Sequence, residues 1–125
     1  MTAILQSKDT ANDGTLYMAL ELSNKKWKLG FSDGNRYRIK TIDAGNWAGL
    51  LDEISQAKRK FGLSFGCRIA SCYEAGRDGF WIDRALKAAG IENLVVDSSS
   101  IEVSRRSKQV KTDRVDVKAL LRLLM

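Results

Sequence analysis

Histidine is absent from this sequence. That excludes Ser-His triads, His-Glu-x-x-His zinc sites and imidazole acid–base chemistry, so any catalysis must rest on carboxylates, lysine, tyrosine, serine or cysteine. Cysteine is scarce: Cys67 and Cys72 are too few and too close for a disulfide framework, and they lack the two further Cys or His partners of a structural zinc site. Both read as small buried hydrophobes. No apolar run approaches the roughly 18 to 20 residues needed to span a bilayer, and the start, Met1 to Asp9, lacks the apolar stretch of a signal peptide. A cytoplasmic protein is expected. What is present fits one soluble α/β domain: 125 residues, 44% hydrophobic and 29% charged. A net charge of +6 favours an anionic partner such as nucleic acid.

Residues 1–14 are small and polar and read as a flexible arm, with order expected from Thr15. From Leu16 to Leu22 apolar residues dominate, as in a strand buried on both faces, and Glu21 is out of place there unless it is used. Lys26 to Phe31 alternates Trp27, Leu29 and Phe31 with Lys28 and Gly30. The Ser32-Asp33-Gly34-Asn35 turn signal then leads into a third strand, Arg36 to Ile42. Asn46 can cap a helix whose Trp47, Leu50, Leu51, Ile54 and Ala57 or Lys58 share one face, ending near Phe61-Gly62. A fourth strand, Gly66 to Tyr73, stops just before Glu74. Asp78 can cap a helix carrying Phe80, Ile82, Leu86 and Ala89, Gly90 ends it, and Leu94-Val95-Val96 is a short fifth strand. A three-stranded meander followed by helix–strand alternation implies a mixed five-stranded sheet with helices on its faces, the first and fourth strands being neighbours. Trp27, Trp47 and Trp81 fall in apolar patterns and are assigned to packing ahead of base stacking.

Residues 101–125 differ from what precedes them. Seven cations stand there against three acids, which accounts for four of the six net positive charges, and Arg105, Arg106, Lys108 and Lys111 are candidate phosphate contacts. Thr112 can cap a final helix from Asp113, on which Asp113 and Asp116 would share a face one turn apart while Val117, Leu120, Leu121 and Leu124 form an apolar side. An apolar helix face at the terminus leads us to expect a piece of a longer protein. Four acids thus stand out: Glu21, Glu74, Asp113 and Asp116. Carboxylates converging from two strand ends and a helix would repel one another unless divalent cations joined them. Magnesium or manganese suits such hard oxygen donors, and a pair of these ions serves phosphodiester cleavage.

Glu21-Leu22-Ser23-Asn24-Lys25-Lys26-Trp27, Tyr73-Glu74-Ala75-Gly76 and above all Lys111-Thr112-Asp113-Arg114-Val115-Asp116 resemble the N-terminal domain of the DEDD transposases. This family of insertion-sequence recombinases includes the Piv-type DNA invertases. The resemblance covers Leu16 to Met125. It implies a RuvC-like domain of the RNase H-like fold over residues 15–125, with Glu21, Glu74, Asp113 and Asp116 binding two Mg²⁺ (or Mn²⁺) ions. DNA is the implied substrate, in strand cleavage and transfer during transposition. It further implies a C-terminal domain with a serine nucleophile, homo-oligomer assembly through that domain and, in some members, a guide RNA. The chain departs from the pattern in two places: Glu21 stands where the family usually has Asp, and Val117 where it prefers Ala. Two other readings follow from the same residues, a stand-alone Holliday-junction-resolvase-like nuclease and a non-catalytic nucleic-acid-binding domain.

Overall fold

The computed structural model describes residues 14–76, 80–97 and 116–125. The expected 1–14 arm therefore falls almost wholly outside the described residues, as do Asp78, Asp113 and the four candidate phosphate contacts Arg105, Arg106, Lys108 and Lys111.

β1 (Thr15–Leu22), β2 (Lys26–Ser32) and β3 (Tyr37–Asp43) form the expected antiparallel meander. The first turn closes through the Ser23 hydroxyl, which donates to the Lys26 carbonyl at 2.7 Å while the Lys26 N–H donates back to it. In the second turn Asp33 Oδ1 accepts from the backbone N–H groups of Asn35 and Arg36, and Gly34 takes the positive φ of 104° that a side chain would resist. Next come α1 (Trp47–Phe61), β4 (Arg68–Glu74), α2 (Trp81–Ala88) and β5 (Glu92–Val96). β4 pairs parallel to both β1 and β5, giving the sheet order β3-β2-β1-β4-β5. The neighbour relation of the first and fourth strands expected from sequence is thus observed, and β1 is the central strand, flanked on both faces.

Side-chain alternation divides the core in two. Leu16, Met18 and Leu20 of β1, Trp27, Leu29 and Phe31 of β2 and Tyr73 of β4 pack with α1 and α2. α1 begins where expected, with Asn46 Oδ1 accepting from Gly49 N–H, and it stops at Gly62, whose φ of +70° completes a left-handed cap. Leu51, placed by sequence on the buried face, is exposed, and Lys58 takes the inner position instead, its Nζ reaching the Phe65 carbonyl at 2.6 Å. Tyr73 anchors α2 by accepting the Asp83 N–H at its hydroxyl. Asp83 in turn accepts from Asn93 Nδ2 at 2.8 Å, and the Asn93 amide oxygen receives the Ser71 hydroxyl. Phe80, expected to pack, lies just outside the helix and is 58% exposed; Trp81 makes the contact, its ring 6.0 Å from that of Trp27.

The opposite face carries Ala19, Cys72 and Val96, covered by α3 (Val117–Leu124) through Val117, Leu120 and Leu121. The last helix therefore does not begin at Asp113. Asp116 has extended backbone (φ −74°, ψ 168°) and is the N-cap, its carboxylate accepting the Ala119 N–H at 2.8 Å.

Candidate functional site

The register of the sheet sets the geometry of the candidate acids. Ala19 faces Gly30 on β2 and Cys72 on β4, so Gly30, Ala19 and Cys72 form one row of small residues across three strands. α3 rests on this row. A Cβ added to Gly30 would come within 2.6 Å of Val117 Cγ2, and the Cys72 thiol lies 3.4 Å from the Leu120 carbonyl, to which it can donate. Two residues further along the strands, on the same face and about 7 Å away at 3.3 Å per residue, comes a charged row. Lys28 is paired with Glu21, and Glu74 follows the last β1–β4 partner pair, Leu20 and Tyr73, in step with Glu21.

Glu21 and Glu74 thus stand on adjacent parallel strands and the same side of the sheet. Glu74 is the last residue of β4, where sequence had placed it just beyond the strand. Glu21 is half-buried, with Oε1 enclosed away from solvent. Asp116 caps the helix that docks on this same face, next to the Val117 that sits over Gly30. These three carboxylates come from the two strands and the helix expected to supply them. The reason for pairing Asp113 with Asp116 changes, however, because the extended backbone at Asp116 removes the shared helical turn. Among the described residues no group of three or more Asp, Glu or Cys side chains is close enough together to hold a metal ion, and Asp113 is not among them.

The donor chemistry nonetheless suits a hard cation. Glu21 and Glu74 offer only oxygen ligands, and side-by-side acids of this kind are destabilising unless opposite charge joins them. Lys28, opposite Glu21 in the antiparallel pair, supplies one such charge; from sequence it was only one of the positions alternating with Trp27, Leu29 and Phe31. Only the cross-strand register identifies it. The cysteines contribute no ligand. Both are buried and neither is in a disulfide, and burial pushes the Cys72 thiol up to about 12. Among the described residues no helix is long and apolar enough to cross a membrane.

No family model matches the chain. Over 117 residues, 90% of its length, it is 39% identical to a protein of Sinorhizobium fredii named "Putative transposase y4rJ". The chain spans 30% of the length of that curated relative.

Proposed function

We propose that this chain is the metal-binding part of a DNA transposase: a RuvC-like domain of the RNase H-like fold in which Glu21, Glu74, Asp113 and Asp116 hold two Mg²⁺ or Mn²⁺ ions for DNA strand cleavage and transfer in the cytoplasm. The observation that carries this reading is the 39% identity across 90% of the chain to a protein named as a transposase. Further support comes from the placement of Glu21 and Glu74 on neighbouring parallel strands, on the face where Asp116 caps α3. A bound ion pair would supply Lewis-acid activation of the attacking oxygen and stabilisation of the leaving one. The chain's own part is to hold and orient. Glu21 and Glu74 are fixed by the sheet ladder, and Asp116 is fixed by its cap. Lys28 would moderate the negative field, and Arg105, Arg106, Lys108 and Lys111 would contact phosphates. The serine nucleophile, the oligomer contacts and any guide-RNA contacts belong to a further domain in this reading.

Calorimetric titration with Mg²⁺ and Mn²⁺ tests it. We expect binding to the wild type, with stabilisation of about 2.7 kcal/mol at a hundredfold excess over Kd, and its loss in an Asp113→Asn, Asp116→Asn double variant. Asn caps a helix as well as Asp does, so the double variant keeps its fold while losing two charges. Absent binding, or equal binding by the double variant, rejects the metal reading. Glu21 in the position of an Asp favours one alternative, a nucleic-acid-binding domain without metal chemistry, and DNA binding indifferent to metal would select it.

A further inference from the structure

α3 packs on β1, β2 and β4, and the same face of β3 is left open among the described residues. Tyr37, Ile39 and Thr41 alternate outward there, opposite Ser32, Gly30 and Lys28 of β2, and Tyr37 and Ile39 are 46% and 41% exposed. The flank of α3 above this strip carries Lys118 and Arg122, one turn apart and both exposed, with Lys118 Nζ 5.6 Å from the centre of the Tyr37 ring. Lys28, Lys118 and Arg122 have no carboxylate partner within ion-pair distance among the described residues, a property they share with Lys25, Lys40, Arg59 and Lys60, and what sets them apart is their place along this strip.

Taking DNA as the substrate, as in the reading above, we propose that this strip between α3 and β3 is a track for a single DNA strand that leads to the Glu21–Glu74 row. Four strand residues separate the row of Tyr37 from that of Lys28 and Thr41, about 13 Å at 3.3 Å per residue. The cations are therefore spread along a line, which matches a chain of phosphates better than one anion. The half-exposed Tyr37 ring and Ile39 give the line an aromatic and apolar floor, the combination that holds unpaired bases without regard to sequence. Lys28 ends the track beside Glu21, so a strand lying on it delivers a phosphodiester to the acids.

The test is fluorescence anisotropy of a labelled single-stranded oligodeoxynucleotide with the full chain in EDTA, so that metal binding plays no part. A Lys28→Gln, Lys118→Gln, Arg122→Gln variant is expected to bind at least tenfold more weakly. Its slope of log K against log salt should be shallower by about 2, at roughly 0.7 per phosphate contact on a single strand. Tyr37→Ala is expected to lose about tenfold with the slope unchanged, since it removes stacking and no charge. A Lys28→Arg, Lys118→Arg variant should bind as wild type, which separates lost charge from lost fold. Wild type that fails to bind overturns the track. So does a triple variant that binds as wild type while Gln at Arg105, Arg106, Lys108 and Lys111 abolishes binding. Concentration-dependent dimerisation removed by Tyr37→Ala, with DNA affinity intact, would make the strip a self-association surface and also overturns it. In each case the calorimetric titration reports independently on the metal reading.

Discussion

Cys72 illustrates how position in the sheet dictates chemistry at a single residue. Its thiol is enclosed beneath α3, and desolvation of the thiolate raises it from an ordinary 9.0 to about 12. In the unfolded chain the same group ionises near its ordinary value, so between pH 9 and 12 the unfolded state holds fewer protons. The contribution of this site to stability is accordingly complete below pH 9 and is lost as pH rises towards 12. Urea unfolding of wild type and Cys72→Ala across pH 7 to 10 is expected to show the wild type losing stability relative to the variant above pH 9; parallel profiles would refute the shift. The native thiol should also react slowly with maleimide. Its small size and burial were legible in the sequence, whereas its place beneath Leu120 was not, because that depends on which strand lies beside β1.

Gly30 matters at the scale of elements. Sequence reasoning read it as one polar-side position of an alternating strand. Register shows it as the lowest point of a saddle, with Ala19 and Cys72 beside it, into which Val117 fits. Gly30→Ala would place a methyl against Val117 and Leu121 and is expected to cost about 1 to 3 kcal/mol through overpacking. A paired Gly30→Ala, Val117→Ala variant should recover part of that, and chemical denaturation measures both. The same fit accounts for the start of α3. Thr112, Asp113 and Asp116 are all competent caps in sequence, and no local preference separates them. Starting at Val117 seats Val117, Leu120 and Leu121 together on the small-residue row. Tertiary docking thus made the choice, so the helix start was the least legible boundary. The meander, the α1 cap and stop, and the strand assignments were legible because turn chemistry and alternation are local signals.

For the whole molecule, the sheet gathers Glu21, Glu74 and Lys28 in one row at the end of one face. Glu74→Gln removes one of two neighbouring like charges. On the metal reading proposed above, the thermal gain on adding Mg²⁺ should shrink in this variant. Differential scanning calorimetry with and without metal reads the increment, and an unchanged one would remove Glu74 from the proposed site. Composition and the missing histidine led to the expectation of an all-carboxylate site, and the position of Glu21 and Glu74 at the ends of neighbouring strands was legible in the sequence. The cation line along Lys28, Lys118 and Arg122 escaped notice because it joins two elements far apart in sequence. The switch of polarity at β1 also bears on how the chain folds. The β1–β3 meander closes through short local turns, whereas the pairing of Leu20 with Tyr73 joins residues about fifty apart. Loop-closure entropy makes such contacts slow to form. The two glutamates are therefore brought together late, and a nascent chain exposes its hairpin well before Glu21 and Glu74 stand side by side.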